Sequence, residues 1–217
     1  MRSQTADKII ERIRKKDTPY NIEVLDIVLR IDKDVYPTGE ESIFLAENLQ
    51  NPDYGIKENE KVLDYGTGTG FLAIIAAKLG GKIIATEFNS FAINCAKHNI
   101  SQNNVEDKIE VRLGESFECI RPEEKFDVVL ANLPYEEAEP KDILEYSVYD
   151  PNFQMRKDLF NKIKKHLTKG GRMFFTYSES VQKTAPIERS SKEFNYKIIG
   201  KKTIGNEVYL LYLITPK

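Results

Sequence analysis

The stretch VLDYGTGTGFLAIIAA, residues 62–77, decides the fold expected for this chain. A short apolar segment leads into Gly66, Gly68 and Gly70, and a segment rich in apolar residues follows without a break. Alternate glycines let the backbone turn tightly and let a ligand approach it closely, while the following helix directs its free N–H groups at that ligand. The stretch therefore predicts a strand, a ligand-binding loop and a helix, with the ligand beyond the carboxyl end of the strand.

The surrounding sequence repeats this alternation of strand and helix. Segments typical of strands lie at 61–66, 81–87, 108–114, 126–132 and 171–178, and helical segments lie at 70–80, 90–103 and 152–167. This order predicts βαβ units and an α/β fold with a mostly parallel sheet. The last two strands, at 195–203 and 207–216, are joined only by a turn at Gly205-Asn206, so we expect them to pair antiparallel.

The start of the chain lies outside this pattern and is a predicted N-terminal extension, residues 1–34, ahead of a main domain at 35–217. A helix with a basic face is expected at 4–16, followed by a strand or hairpin at 22–32. The basic face is either a solvated surface or a contact for RNA. A further helix at 39–50 carries acids in its first turn, where the helix dipole favours them.

The composition is that of an ordinary globular domain. The 217 residues carry a net charge of −2, so phosphate attraction alone does not favour nucleic acid binding. The two cysteines, Cys95 and Cys119, are too few for a disulfide framework and lack metal-site spacing to His98 or His166, which indicates a reducing, cytoplasmic setting. We expect no membrane span and no signal peptide, because the chain has no apolar run of spanning length and a charged start.

Asp64 distinguishes two classes of ligand for the glycine loop. Residues 68–73 also satisfy the dinucleotide pattern G-x-G-x-x-G/A, so a nicotinamide-dependent oxidoreductase is one alternative. Asp64 ends the strand just before the glycines. A carboxylate there would repel a pyrophosphate, but it would suit a cationic ligand such as the ammonium group of a methionine moiety. Asp64 therefore favours a methionine-derived cofactor.

Three further candidates for the cofactor site follow the next two strands. Glu87 ends the second strand of the series, where an acid can accept both hydroxyls of a ribose, and this fits either class of ligand. Phe88 beside it is a candidate for stacking on a purine, or a core residue. Glu115 follows the third strand and is either an acceptor for an adenine amino group or an acid in a surface loop.

The fourth strand, at 126–132, ends in Asn132-Leu133-Pro134-Tyr135 and then runs into a string of acids. An amide, a proline and an aromatic ring at the end of a buried strand suit the binding of a flat group rather than a solvated turn. The acids that follow are Glu136, Glu137, Glu139, Asp142 and Glu145. If they border the site, their field disfavours RNA phosphate and favours a basic protein segment. The alternative is a solvated loop.

Together these residues resemble the class I S-adenosylmethionine-dependent methyltransferases. The resemblance lies in D-x-G-x-G-x-G at 64–70, Glu87 about twenty residues on, Glu115, and N-L-P-Y at 132–135. It implies a Rossmann-like sheet of seven strands, mostly parallel with the last strand antiparallel, and helices on both faces. It also implies S-adenosyl-L-methionine as the cofactor, with these binding residues: Asp64, Gly66, Thr67, Gly68, Gly70, Glu87, Phe88, Glu115 and Asn132.

Within that superfamily, the chain is similar to enzymes that methylate planar nitrogens. N-L-P-Y resembles the [N/D]-P-P-[Y/F/W] signature of those enzymes, and residues 35–49 and 113–135 resemble the release-factor glutamine methyltransferases. Leu133 departs from the proline of that signature and makes the motif similar to that of the ribosomal RNA adenine dimethyltransferases. The resemblance implies an N-methyltransferase that acts on a protein glutamine or on an RNA base.

The motif also implies a division of catalytic roles among Asn132, Leu133, Pro134 and Tyr135. The Asn132 side-chain oxygen and the Leu133 carbonyl would accept the N–H bonds of the planar nitrogen, while Pro134 would stiffen the turn and Tyr135 would stack on the flat group. The expected partner is a macromolecular substrate, either a protein resembling a translation factor or RNA. A further alternative is a cofactor-binding subunit, so a small activating partner subunit is also considered.

Overall fold

The computed structural model describes residues 2–217, and Met1 of the predicted extension lies outside the described residues. Nine strands and six α-helices are present in this part of the chain. The strands are β1 Tyr20–Val24, β2 Ile27–Ile31, β3 Lys61–Tyr65, β4 Lys82–Glu87, β5 Ile109–Leu113, β6 Phe126–Ala131, β7 Leu167–Ser178, β8 Phe194–Ile204 and β9 Glu207–Pro216. The α-helices are α1 Gln4–Arg14, α2 Glu40–Asn48, α3 Phe71–Lys78, α4 Ser90–Gln102, α5 Gln154–Lys162 and α6 Glu179–Thr184.

Seven of the strands form one sheet in the order β5-β4-β3-β6-β7-β9-β8. The pairs from β5 to β7 are parallel, and β9 pairs antiparallel with both β7 and β8. The last strand alone therefore runs against the others, which confirms the expected fold class. The strand order reverses beside β3, which lies between β4 and β6, and β6 is the central strand. A ligand crevice is expected at this reversal point, beyond the carboxyl ends of the strands.

The sheet buries a core on each face. Along β6, Val128 and Leu130 belong to one hydrophobic cluster, while Val129 and Ala131 belong to the other. This alternation follows from the two-residue period of a strand. The first cluster includes residues of α2, α3 and α4, and the second includes residues of α5, so helices cover both faces as expected. No helix within residues 2–217 is both long enough and apolar enough to cross a membrane.

The predicted helix at 152–167 was wrong at both ends. Asn152 and Phe153 have φ angles of 53°, and the Asp150 carboxylate accepts hydrogen bonds from the N–H groups of Met155 and Arg156, so the α-helix begins only at Gln154. It ends at Lys162, and a 3-10 turn, Ile163–His166, leads directly into β7. Helix α6 was not expected from the sequence; the Ser178 side chain caps its first turn.

The N-terminal helix α1 is fixed to the acidic string that follows the N-L-P-Y motif. Glu145 is only 1% exposed and accepts hydrogen bonds from Arg2 at 2.8 Å and from Arg14 at 3.2 Å. Burial raises the pKa of Glu145, but its bonds to the two arginines and to the Lys141 N–H lower it further, so the net shift is downward. Arg14 also pairs with Asp142. Part of the acidic string is therefore neutralised by the chain itself.

The hairpin of β1 and β2 has a two-residue turn at Leu25-Asp26, and both turn residues have positive φ angles, 48° and 58°. Ile27, Leu29 and Ile31 of β2 are buried in the core cluster that contains α4. Both parts of the predicted extension therefore pack against the main domain. The boundary at residue 34 stays a prediction.

Arg172 of β7 provides a test of how the sheet is joined to the segment before β3. Its guanidinium donates to the carboxylate of Glu60 at 2.9 and 2.8 Å and to the carbonyls of Tyr54 and Gly55. We expect Arg172→Ala to lower the free energy of unfolding by about 2 kcal/mol, because partly buried acceptors lose their donors. Urea denaturation measures the change.

The matched control is Lys164→Ala, which removes an exposed ion pair with Glu193. We expect it to change the free energy of unfolding by less than about 0.5 kcal/mol. Equal effects of the two substitutions would contradict the importance of the Arg172 contacts.

Candidate active site

A cavity of about 980 Å³ opens at the carboxyl ends of β3, β4 and β6. It lies at the reversal point of the sheet, and its size suits a cofactor together with part of a substrate. The glycine loop after β3, the end of β4 and the Asn132–Tyr135 motif after β6 all line it. Of the predicted site residues, all but Asp64 and Gly70 line this single cavity.

The glycine loop is held by β4. The Thr86 carbonyl accepts hydrogen bonds from both Gly66 N–H at 3.0 Å and Thr67 N–H at 2.9 Å. The Glu87 carboxylate accepts one from Gly68 N–H at 3.0 Å. Gly68 has a φ of +54°, and a Cβ atom built on it meets no atom within 4 Å, so that position faces open space. The loop therefore exposes backbone to the cavity where a side chain would intrude.

Asp64 lies beneath the loop rather than on the cavity wall. It is 1% exposed, and its carboxylate accepts hydrogen bonds from the Thr67 hydroxyl, at 2.6 Å, and from the Ala73 N–H. Burial raises the pKa of Asp64 to about 7 despite these two bonds, and the nearby Glu87 carboxylate adds to the increase. In this structure Asp64 ties the loop to the start of α3. Its predicted contact with a ligand ammonium group stays a prediction.

Glu87 is buried and uses its carboxylate to organise the site. One oxygen binds Gly68 N–H, and the other accepts hydrogen bonds from the N–H groups of Phe88 and Asn89, both at 2.9 Å. Burial raises its pKa, although these three bonds lower it. Phe88 is half-buried and packs edge-on against Tyr146, with ring centroids 5.5 Å apart. Glu115 is exposed on the loop after β5. The ribose, purine and adenine contacts predicted for these residues stay predictions.

The Asn132 side chain is fixed between two hydroxyl groups. Its oxygen accepts a hydrogen bond from Thr176 of β7, and its nitrogen donates one to Ser42 of α2 at 2.8 Å. The oxygen retains a second lone pair for a substrate N–H. The Leu133 side chain is buried in the second core cluster, where its Cδ2 atom lies 3.5 Å from the Cβ position of Gly66. The leucine that replaces the signature proline therefore packs against the glycine loop.

Tyr135 is held by other tyrosines. Its hydroxyl donates to the Tyr209 hydroxyl at 3.0 Å, and its ring packs edge-on against those of Tyr177 and Tyr209. Burial raises the pKa of the Tyr135 phenol far above its usual value, so the phenol is neutral. Sequence reasoning missed Ser42, Thr176 and Tyr209, because they come from distant segments; no local motif marks them.

The cavity is strongly acidic. Among its lining residues in the described part of the chain there is no lysine and no arginine. Eight carboxylates line it: Glu40, Glu41, Glu87, Glu115, Glu136, Asp150, Asp158 and Glu207. Fields of one sign inside a cleft attract ligands of the opposite charge. The cavity therefore favours cationic ligands.

Comparison with known proteins identifies the family. The family model described as ribosomal protein L11 methyltransferase (PrmA) matches residues 36–136, which carry the glycine loop and the N-L-P-Y motif. A putative protein N5-glutamine methyltransferase of Methanocaldococcus jannaschii is 38% identical over 115 residues, 52% of this chain and 54% of that protein. The chain belongs to the class I S-adenosylmethionine-dependent methyltransferases. A second relative of this methyltransferase, the ribosomal protein L11 methyltransferase of Lactobacillus johnsonii, is 34% identical over 156 residues, 71% of this chain and 42% of that protein.

Solved structures share the fold. A ribosomal protein L11 methylase from Lactobacillus delbrueckii subsp. bulgaricus has a TM-score of 0.63 at 24% identity and covers 87% of this chain and 85% of its own. The tRNA m1G37 methyltransferase of M. jannaschii has a TM-score of 0.68 at 20% identity and covers 94% of this chain and 58% of its own. At such identities the likeness shows the fold alone. The chain spans about half the length of the two curated relatives, 54% and 42%.

S-Adenosylmethionine is the cofactor of this family, and the cavity of this chain fits it. The open space at Gly68 allows a ligand to approach the backbone, and the buried Glu87 carboxylate stands beside that space. The acidic wall suits a cofactor that carries a sulfonium and an ammonium group. This assignment replaces the nicotinamide alternative. No three His, Cys, Asp or Glu side chains are grouped as a metal site within residues 2–217.

Gly68→Ala tests whether the cofactor approaches the backbone of the glycine loop at Gly68. The added methyl group would project into the cavity, so we expect at least a tenfold weaker affinity for S-adenosylmethionine while the protein stays folded. Isothermal titration calorimetry measures the affinity. Gly170→Ala is the matched control, because Gly170 also has a positive φ, +90°, and open space around it, but does not line the cavity. The strain of the two alanines is therefore similar. An equal loss of affinity in both variants would contradict cofactor binding against the backbone of Gly68.

Asp64→Asn tests the buried carboxylate. The pKa of Asp64 rises from 3.8 to about 7 on folding. The folded state therefore binds the proton more tightly, and the stability gained from the neutral carboxyl is lost as the pH rises from below 4 toward 7. Without cofactor, the free energy of unfolding of the wild type should decrease between pH 4 and pH 8. We expect the decrease to be on the order of 2 kcal/mol smaller in the asparagine variant. Urea denaturation at several pH values measures this, and identical pH dependence would refute it.

Proposed function

We propose that this chain transfers a methyl group from S-adenosylmethionine to the side-chain amide nitrogen of a glutamine in a protein. The observation that carries the proposal is the Asn132–Tyr135 motif at the end of the central strand, inside a cavity lined by eight carboxylates and, in the described part of the chain, by no basic side chain. The putative glutamine methyltransferase among the relatives supports the same acceptor.

The chemistry of the acceptor explains the roles of the motif. An amide nitrogen is a weak nucleophile because its lone pair is delocalised, and the cofactor supplies a methyl group that is already strongly electrophilic. The residues must therefore act by positioning and by hydrogen bonding. Asn132 would accept one substrate N–H with its free lone pair, and the Leu133 carbonyl would accept the other. Pro134 stiffens the turn, and Tyr135 would contact the plane of the amide.

The fixed orientation of Asn132 supports this mechanism. The Thr176 and Ser42 hydroxyls hold its amide in one plane, so little rotational freedom is lost when the substrate binds. Because Thr176 lies on β7 and Ser42 on α2, the acceptor position is set by elements on two sides of the motif. Such preorganisation is the usual source of rate enhancement in reactions that need no acid or base of unusual strength.

The electrostatics favour a protein over RNA as the acceptor. A backbone of phosphates would meet a cavity wall that carries eight carboxylates and, among the described residues, no lysine or arginine. Several candidate basic residues outside the cavity are engaged in ion pairs: Arg14 with Asp142, Lys162 with Asp158, Lys164 with Glu193, Lys201 with Glu179 and Lys202 with Glu40 and Glu47. An RNA base remains the second candidate, since a tRNA methyltransferase shares the fold. A cytoplasmic setting and a small activating partner stay predictions.

Asn132→Ala tests the proposed role of the motif. We expect the rate of methyl transfer to fall at least 100-fold, because the substrate amide loses an acceptor that positions it, while the dissociation constant of S-adenosylmethionine changes less than threefold. Transfer of tritiated methyl groups and calorimetry measure the two quantities. Unchanged transfer would exclude the mechanism.

The nature of the acceptor is tested with a cell extract. The protein and tritiated S-adenosylmethionine are incubated with the extract, and the product is digested with protease or with RNase before counting. We expect the label to become acid-soluble with protease only, and amino acid analysis to identify N5-methylglutamine. Label released by RNase would establish the RNA alternative. Labelling that requires an added protein fraction would indicate the activating partner.

A further inference from the structure

Methyl transfer to an amide leaves one proton to be removed, and the cavity contains a carboxylate suited to that task. As the nitrogen forms a bond to the methyl carbon, the bond between that carbon and sulfur breaks and its electron pair stays on sulfur. The nitrogen is then positively charged and its remaining N–H bonds are acidic. One N–H bond breaks, its electron pair stays on nitrogen, and the proton must pass to a base. Asn132 and the Leu133 carbonyl are too weakly basic to keep it.

Most of the eight carboxylates of the cavity are already engaged by the chain. Glu87 and Asp150 accept hydrogen bonds from backbone N–H groups. Four more carboxylates accept hydrogen bonds or ion pairs from side chains: Glu207 from Ser178 and Ser180, Glu136 from Ser3, Glu40 from Lys202, and Asp158 from Gln154 and Lys162. Two carboxylates receive neither a hydrogen bond nor an ion pair from any other residue within residues 2–217, namely Glu41 and Glu115. Glu115 lies exposed after β5, on the other side of the glycine strand from the motif.

Glu41 lies beside the motif. It is in the first turn of α2, next to Ser42, which accepts the hydrogen bond from the Asn132 amide. It lines the cavity, and no lysine, arginine or hydroxyl among the described residues pairs with it. Only its own N–H contributes a hydrogen bond to the carboxylate. An unpaired carboxylate in a desolvated wall is costly, and such groups are characteristic of functional sites.

We infer that Glu41 is the base that accepts the proton lost by the acceptor nitrogen, directly or through one water molecule. This inference rests on the proposed function. The nitrogen held by Asn132 and Leu133 would lie within reach of the first turn of α2, and the proton would convert Glu41 into a neutral acid. The neutral form suits the desolvated wall, so the surroundings favour the transfer. Glu41 then returns the proton to solvent through the open side of the cavity.

Among the described residues, the titratable groups that act on Glu41 or feel its charge are Glu40 and three tyrosines. The charge of Glu41 acts on three phenols: Tyr36 before α2, Tyr135 after β6 and Tyr209 of β9. Glu40 on α2 is partly offset by Lys202 of β8 at 3.7 Å. Burial raises the pKa of the Glu41 carboxyl, and the charge of Glu40 raises it further. The phenols of Tyr36 and Tyr135 have raised pKa values and stay protonated, so neither competes as a base.

Glu41→Gln tests the inference in single-turnover reactions, with the protein fraction of a cell extract as acceptor and enzyme in excess. We expect the rate at pH 7.5 to fall about 100-fold, as is usual when a general base is removed. The wild-type rate should fall as the pH is lowered through the raised pKa of Glu41, and the variant should lack that dependence. Glu47→Gln is the matched control, since it removes the same charge from an exposed position on α2; its rate and pH profile should equal those of the wild type.

Thermal stability provides a readout that does not depend on turnover. Because folding raises the pKa of Glu41, its charged form destabilises the folded state above the pKa of the unfolded chain. Glu41→Gln should therefore raise Tm by about 2 °C at pH 8 and by less at pH 5. A residue that only supports the fold would lower Tm when replaced.

The outcomes separate the two proposals. If the wild-type protein binds S-adenosylmethionine but labels no protein, the proposed function fails and the role of Glu41 fails with it. If the wild type labels protein and Glu41→Gln retains its rate and pH profile, only the inference on Glu41 is overturned. The same holds if the variant is slow solely because its affinity for the cofactor has fallen.

Discussion

The carboxyl end of β4 holds the glycine loop, and the rest of the site depends on that attachment. Thr86 accepts two N–H groups of the loop through its carbonyl, and Glu87 accepts a third through its side chain. These bonds fix the positive φ angles of the loop, which leave the backbone of Gly68 open to the cavity. Asp64 secures the same loop from below. Asp64 and Glu87 are therefore two neighbouring buried carboxylates, and both have raised pKa values.

The second half of the site depends on the central position of β6. Its neighbours β3 and β7 supply the glycine loop, against which Leu133 packs, and Thr176, which donates a hydrogen bond to the Asn132 side chain. Helix α2 closes the arrangement through Ser42. The acids that follow the motif divide into two groups: Glu136 lines the cavity, whereas Glu145 and Asp142 are paired with arginines at the start of the chain. Helix α1 thereby becomes part of the cavity wall.

The electrostatic character of the cavity links structure to substrate. The carboxylates favour a cationic cofactor and disfavour phosphate, and under the proposed function they would also favour a basic protein segment. Glu41, beside the motif, receives neither a hydrogen bond nor an ion pair from another described residue. The wall in which it lies contains tyrosines that remain neutral. An acid in such surroundings gains from becoming neutral, and the proposed methyl transfer to an amide would supply the proton.

Much of the fold was predictable, because it follows from local patterns of apolar residues, glycines and turns along the sequence. Alternating strands and helices, three glycines at 66, 68 and 70, and a two-residue connection at Gly205-Asn206 are local patterns, and they predicted the sheet, the cavity edge and the antiparallel end. The start of α5 was not predictable, since it depends on the Asp150 carboxylate reaching two N–H groups. Ser42, Thr176 and Glu41 gave no sequence signal, because they gain a role only when α2 and β7 meet the motif in space. The sequence by itself determined the alternation of the sheet strands with their helices and the edge of the sheet at which the cavity lies. Tertiary packing decided which acids are paired and which one, Glu41, stays unpaired beside the motif, because pairing and desolvation exist only in the folded chain.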